Sequence, residues 1–577
     1  MNRLQNRLGK ILLTLLLGLA IFGFWRWQHP AALAFQEQFQ LFLFDDDYFL
    51  SRLTAPGGMA CYVAEFLVQF YNNVTIGALI VACLFMLLQR MTWRLMRPVS
   101  GMWYGLSFLP AVLMWMAMGD ESVMLTSLVA LLMVLAAMLG CPKGGRVRAV
   151  YAAVSIPLAY WLAGPLALGL ALYIPWRRPA VGSVAKCLMM AAACVVVVAV
   201  CVAVSAYLLP YPLKRLSIGL YYYRFVEVMP TLLWMVAALA LLLAVGSSYL
   251  PVIRRPRGRW AVLGGSFLLL AVVAAVAVPR AYDERKYTLM DYDYLVRANR
   301  WETIIQKSER RQADLPVSVC ATNLALAMTG QLGERAFDFF QHGAEGLLPR
   351  FERNFVSLQL IGEAYFQLGL VNTAQRMTFE AMEAIPNYNK SARAVKRLAE
   401  TNLINGQYAV AQKYLNMLKK TIFYRNWALR TELLLSDEKQ IDAHPLYGRL
   451  RKVRLSEDFL FSEQEVDKIC GQLFMHNSKN VVAVQYLLLF PLLEGDIAKF
   501  MNYVQVVNEK EHYAPRTVQQ GIAWAYMSKG QMPPEGVAPA IVQQLRAFVQ
   551  TYKSVGRGAP QLQQYRNTVW YYLTEGE

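Results

Sequence analysis

The sequence predicts an all-α protein in two parts: a polytopic helical membrane domain of about nine segments at 1–279, then a helical-repeat α-solenoid at 280–577. Three observations predict it. Apolar runs long enough to cross about 30 Å of hydrocarbon are confined to the first half. Basic clusters stand between those runs, with no Asp or Glu among them. From about Arg280 the chain turns polar, with apolar positions at helical period and few β-branched runs.

The apolar runs lie at about 11–28, 73–89, 101–118, 122–140, 187–209, 230–250 and 260–279. Residues 149–176, AVYAAVSIPLAYWLAGPLALGLALYIPW, have the length of one long span or of two short ones broken at Gly164-Pro165. A single crossing would put Arg177 and Arg178 on the opposite side from the cluster at Arg254 to Arg259. Two short helices or a re-entrant hairpin are therefore expected, which makes nine segments.

A net charge of +18 first suggests nucleic acid, but its distribution argues otherwise. Arg3, Arg7, Lys10; Arg90, Arg94, Arg97; Lys143, Arg146, Arg148; Arg177, Arg178, Lys186; and Arg254, Arg255, Arg257, Arg259 supply sixteen of the eighteen excess charges between apolar runs. Positive-inside topology explains them, and no nucleic-acid partner is expected. With the amino terminus in the cytoplasm of a bacterial inner membrane, this count places everything after about Pro279 in the periplasm. Glu37, Asp45, Asp46, Asp47, Glu65, Asp120, Glu121 and Glu227 then all lie in outer or juxtamembrane stretches. The first run, followed by Ala32-Leu33-Ala34, has the outline of a cleaved signal peptide. Trp25, Arg26 and Trp27 suit an interfacial anchor better, so an uncleaved first span is expected.

The eight cysteines form no disulfide framework. Six lie in or beside the spans, where packing is their expected role; Cys320 and Cys470 fall in the polar half, where one bridge is possible. The five histidines are scattered without ligand spacing, and Gly144-Gly145 lacks the pattern of a phosphate loop.

Between the first two runs, residues 31–44 place Phe35, Phe39 and Phe42 at helical spacing among Gln36, Glu37, Gln38 and Gln40, as in an amphipathic helix on the outer leaflet. Outer juxtamembrane helices are expected over about 31–57, and a further one over 58–72. A carboxylate in hydrocarbon costs several kcal/mol, so Asp45, Asp46 and Asp47 must sit in water or a polar cavity. Two readings stay open. In one, Asp47 caps the helix YFLSRL and its neighbours favour the positive end of the dipole. In the other, the acids carry chemistry.

The second reading rests on Asp46-Asp47-Tyr48-Phe49-Leu50-Ser51-Arg52, of the form D-x-Y-F-x-x-R. It resembles the acidic first outer loop of GT-C membrane glycosyltransferases, oligosaccharyltransferase catalytic subunits in particular. The resemblance covers one short motif and the order of helices. It implies Asp46 as the base or metal-facing carboxylate, Asp47 as its support, and Asp120 with Glu121 as a second acidic motif; a divalent cation is allowed by it. The loop PYPLKRLSIGLYYYRFVEVM at 210–229 concentrates Lys214, Arg215 and Arg224 beside Tyr223. Guanidinium and phenol groups there could hold a polyprenyl phosphate, or form an aromatic belt with lipid headgroups. The Trp-Trp-Asp type motif of oligosaccharyltransferases is absent, so only a reaction class carries over.

In the polar half, IGEAYFQLGLVNTAQRMTFEAMEAIPN at 361–387 resembles the tetratricopeptide repeat, through Gly362, Ala364, Tyr365, Gly369, Ala374, Ala381 and Pro386. Copies at 322–340 and 398–418 turn at Gly330 and Gly406, and weaker ones surround Asn299, Gly495 and Gly530. Such pairs bury their apolar faces only by stacking, and the stack implies a protein or peptide partner. The whole chain resembles a bacterial family of multi-span inner-membrane proteins with a tetratricopeptide-like C-terminal domain. Two functions are expected from this: a glycosyltransferase using a lipid-phosphate donor, whose repeats bind acceptor or partner, or a non-catalytic membrane-anchored scaffold for a periplasmic assembly.

Overall fold

The computed structural model describes residues 3–96, 101–143, 145–177, 184–225, 227–251, 256–352, 355–385, 390–455 and 465–576. Among them every regular element is helical, and the one β-type pairing is an isolated bridge between Val123 and Tyr223. Arg97, Arg178, Arg254, Arg255 and Pro386 lie outside the described residues. The chain divides into two units, the first comprising residues 1–287 with 386–392 and 420–425, the second 288–385, 393–419 and 426–577.

The first unit holds α1 (Arg3–Gly23), α2 (Pro30–Glu37), α3 (Asp46–Leu53), α4 (Gly58–Val68), α5 (Val74–Met96), α6 (Leu109–Ala117), α7 (Leu125–Gly140), α8 (Gly145–Ala163), α9 (Ala167–Trp176), α10 (Val184–Leu208), α11 (Leu213–Ile218), α12 (Thr231–Gly246) and α13 (Pro256–Ala277). Among the described residues three helical stretches, fewer than the nine expected segments, are long and apolar enough to cross a membrane: Leu8–Gln28, Val74–Met96 and Val184–Leu208. Gly101–Ala117, Leu125–Gly140, Ala167–Trp176, Thr231–Gly246 and Ala261–Ala277 are apolar but shorter. The 16 residues of α7 rise only about 24 Å.

Polar side chains tie these apolar helices together. The Thr14 hydroxyl lies 3.0 Å from Gln89 Oε1 and 2.8 Å from the Tyr104 hydroxyl, and Gln89 Nε2 donates to Ser107 Oγ at 2.7 Å, all buried. Where no water competes, such bonds hold helices in register. Close approach is secured by glycine: a Cβ on Gly18 would stand 2.6 Å from Met86 Sδ.

The ambiguous stretch 149–176 is two helices, α8 and α9, parted at Gly164, whose φ of +79° suits glycine. Pro165 cannot continue a helix, and the break frees backbone groups. The buried Tyr222 hydroxyl meets both sides of it, donating to the Ala163 carbonyl and accepting from Leu166 N–H at 3.3 Å.

The amphipathic helix expected over 31–44 is shorter and more enclosed than its pattern suggested. It ends at Glu37, and residues 31–42 are buried on their polar as well as their apolar side. Glu37 accepts from the Tyr424 hydroxyl at 3.0 Å and Gln40 Nε2 donates to the Glu65 carbonyl at 2.7 Å, so its polar face has protein partners in place of water.

In the second unit, six helices end in the same way. Asn299, Gly330, Gly369, Gly406, Gly495 and Gly530 all have positive φ, from 52° to 99°. In each case the following N–H reaches back five residues, as from Leu370 to the Tyr365 carbonyl at 2.9 Å and from Gln407 to the Asn402 carbonyl at 2.8 Å. This is the Schellman closure, in which a left-handed residue satisfies carbonyls orphaned at a helix end. It builds hairpins such as Phe355–Leu368 with Val371–Glu383 and Ala392–Ile404 with Tyr408–Lys419. Two junctions depart from the pattern. After Gly330 the helix Leu332–Arg335 is a single turn, and after Gly530 no helix follows until Pro539–Val555, since Pro533 and Pro534 each disfavour the helical conformation in the residue before them.

The helix Val481–Glu494 is apolar all round because Val482 to Leu493 are all buried at the centre of this unit. Cys320 and Cys470 are free, buried thiols, so the possible bridge is not formed. A seam of enclosed charge joins the hairpins. Arg393 Nη1 contacts both Asp293 carboxylate oxygens at 2.8 Å, while Arg397 lies 2.5 Å from Glu363 and 3.0 Å from Glu400.

Candidate functional site

The acids after the first apolar run separate by local geometry. Asp45, not Asp47, occupies the position before α3, in extended backbone (φ −150°, ψ 137°). Its carboxylate pairs with Lys420 at 2.8 Å and caps no N–H of α3. Asp46 and Asp47 stand exposed in the first turn, where the helix dipole favours their charge. One and five residues beyond Asp47, Tyr48 and Arg52 turn inward to Glu65 on α4. Arg52 Nε and Nη2 donate to Glu65 Oε2 and Oε1, each at 2.8 Å, and the Tyr48 hydroxyl donates to Oε2 at 2.6 Å. Glu65 is 1% exposed, so the D-x-Y-F-x-x-R stretch is built around a buried ion pair. Burial, then the Glu65 charge, pushes the Tyr48 phenol well above its ordinary pKa.

A second constellation gathers at the turn between α6 and α7. The Val123–Tyr223 bridge and the bond from Met124 N–H to the Tyr222 carbonyl, 3.0 Å, lay the loop 210–229 against this turn. Asp120 Oδ1 accepts from Ser122 N–H at 2.9 Å and Oδ2 from the Tyr223 hydroxyl at 2.7 Å. Glu121 Oε1 pairs with Lys286 Nζ at 2.6 Å, and the Tyr287 hydroxyl donates to the Gly119 carbonyl at 2.8 Å. Gly119 is required: a Cβ there would stand 2.9 Å from that of Ala281. Burial and the Asp120 hydrogen bond push the Tyr223 phenol up to about 12. The hydrogen bond from Lys286 to Glu121 raises the lysine pKa.

Arg224 is the electrostatically strained member. Its Cζ lies 3.0 Å from the Phe39 ring centroid and Nη2 donates to the Glu121 carbonyl at 3.1 Å. The residue is half-buried, yet Nε and Nη1 are sealed from solvent without a hydrogen-bond acceptor. Burial lowers its pKa to about 9, against the opposing pull of Glu121 and Asp120. Lys214 and Arg215 do not join it. Lys214 is exposed and Arg215 half-buried, and they face Glu227 at 3.6 and 3.0 Å.

Thus the structure brings Asp120, Glu121, Tyr223 and Arg224 together, and holds Asp46 with Asp47, and Lys214 with Arg215, in separate settings. Sequence reasoning grouped Glu65 with the other outer carboxylates and passed over Lys286. A single acid inside the apolar stretch CYVAEFLV was the available signal for Glu65. Among the described residues no cluster of three or more His, Cys, Asp or Glu is placed to hold a metal. Asp120 and Glu121 are already engaged by neutral and cationic donors, an arrangement that does not fit a divalent cation.

A family model described as a family of unknown function, DUF6057, matches residues 5–576. The chain belongs to this family. No curated protein and no solved structure shows significant similarity to the chain. The match spans both units, so the acidic turn, the Arg52–Glu65 pair and the Schellman-closed hairpins all lie within the DUF6057 region.

Proposed function

We propose that this DUF6057 chain is an integral inner-membrane protein whose first unit, crossing with about nine segments, anchors a periplasmic tetratricopeptide-like domain that holds a protein or peptide partner: a scaffold of an envelope assembly. The observation that carries the reading is the engagement of six of the eight outer carboxylates by donors of the fold: Glu37 by Tyr424, Asp45 by Lys420, Glu65 by Arg52, Asp120 by Tyr223, Glu121 by Lys286 and Glu227 by Arg215, with Asp46 and Asp47 exposed at a helix start. A carboxylate held this way serves rigidity better than proton transfer, which needs a poised and reachable group. The acid-free basic clusters support the orientation. The repeated Schellman hairpins support a stacking domain.

The test uses the full chain in its own membrane. Asp46→Asn and Asp120→Asn are expected to leave its envelope complex intact on native gels, whereas breaking the hairpins at 355–419 dissolves it. A reporter after Glu577 that proves cytosolic, or a complex indifferent to the hairpins, refutes the scaffold.

A second reading, a GT-C-like glycosyltransferase with a polyprenyl-phosphate sugar donor, is favoured by Arg224, whose two sealed N–H groups stand beside Asp120 and Glu121. Here Asp46, aided by Asp47, is the base that deprotonates the acceptor, Asp120 and Glu121 form the second acidic motif, and Arg224 with Tyr223 holds phosphate, Lys214 and Arg215 standing apart beside Glu227. It requires that Asp46→Asn abolish transfer of sugar from a labelled lipid-phosphate donor; undiminished product ends it.

A further inference from the structure

We infer that the hairpin between α10 and α12 is a binding surface for the headgroups of anionic glycerophospholipids. The inference rests on the membrane-anchoring part of the proposed function and goes beyond the scaffold. Its first ground is position. α10 is a 25-residue apolar helix ending at Leu208, so the residues that follow within a few positions lie at the level of the lipid phosphates. Its second is composition. The hairpin leaves large apolar side chains outside the protein: Leu208 is 69% exposed, Leu213 58% and Phe225 52%. Lys214 and Arg215 sit directly between these anchors in α11.

Charge complementarity names the occupant. Two cations face one carboxylate, Glu227, and the pairing is loose, at 3.6 Å for Lys214 with both of its side chains 64% exposed. One positive charge is left over on a surface whose apolar part belongs in acyl chains, and long basic side chains reach from such a surface to phosphate. Tyr223 and Arg224, eight and nine residues beyond Arg215, turn inward to the Asp120 turn and take no part. A phosphodiester of net negative charge satisfies the excess cation; a zwitterionic headgroup does not.

The experiment reconstitutes the full-length chain into bilayers of mixed phosphatidylglycerol and phosphatidylcholine, repurifies it in mild detergent, and measures the retained lipid of each class. Wild type retains phosphatidylglycerol in preference. Lys214→Gln with Arg215→Gln lowers that retention by about fivefold and Glu227→Gln raises it, while raised salt weakens all three. Arg215→Lys, which keeps the charge, stays near wild type and guards against misfolding. Equal retention of both lipids by wild type, or no change in the double variant, overturns the inference. Extraction of the wild-type chain from membranes by carbonate overturns the anchoring reading itself and is scored separately.

Discussion

The Arg52 guanidinium closes on the Glu65 carboxylate through two parallel bonds of 2.8 Å, with side-chain exposures of 17% and 1%. An enclosed pair of this kind is not strong evidence of net stabilisation, because desolvation offsets its Coulomb attraction. Removing one partner is another matter. Arg52→Gln is expected to destabilise the full chain in detergent by about 3–5 kcal/mol, seen as a lower midpoint in thermal unfolding. The double replacement Arg52→Met with Glu65→Leu recovers most of that loss; if it does not, the pair is more than mutual neutralisation.

The broken helix pair depends on one phenol. Tyr222→Phe strips the Ala163 carbonyl and the Leu166 N–H of their partner at a buried site. A loss of about 1–3 kcal/mol follows, with faster amide exchange at residues 163–167. Exchange unchanged from wild type there would show that the break is held by packing alone.

The Schellman glycines should respond unequally. Gly406 has φ +76° with open space around it, so Gly406→Ala meets only backbone strain, about 1 kcal/mol. At Gly369, φ +99°, a Cβ would also stand 2.9 Å from Val453 Cγ2. Gly369→Ala therefore costs more than Gly406→Ala in proteolysis or thermal assays of the full chain, and equal effects would refute the steric part.

Glu363 sets a pH dependence in the second unit. Burial raises its pKa, but Arg397 and Arg393 outweigh that, and the folded value lies below the ordinary one. A depressed carboxyl contributes stability that is fully present above the unfolded pKa, about 4.3, and is lost as pH falls through the folded value. Acid unfolding of the hairpin at 355–383 should thus steepen below about pH 4.3, and Glu363→Gln should remove that steepening while lowering stability at neutral pH.

Arg224 separates the two functional readings. Replacing a half-buried cation whose Nε and Nη1 are sealed without an acceptor by an apolar side chain is often neutral or stabilising, so Arg224→Met is expected to change stability by between zero and about +2 kcal/mol. The scaffold keeps its complex in this variant, whereas a phosphate-binding transferase loses activity.

What the sequence determined by itself is local. Apolar length, the Gly164-Pro165 break and the left-handed turns at Asn299, Gly369 and Gly406 were legible because helix period, proline sterics and glycine's freedom act within a few residues. The tertiary structure decided which charges meet. Glu121 finds Lys286 across 165 positions and Glu37 finds Tyr424 across 387, distances over which no pattern of spacing carries information. Two adjacent tyrosines show the boundary between the two: Tyr222 and Tyr223 are neighbours in one loop, yet the first meets both sides of the Gly164 break and the second meets Asp120. Burial makes every polar atom seek a partner, and only the folded chain determines which partners are within reach.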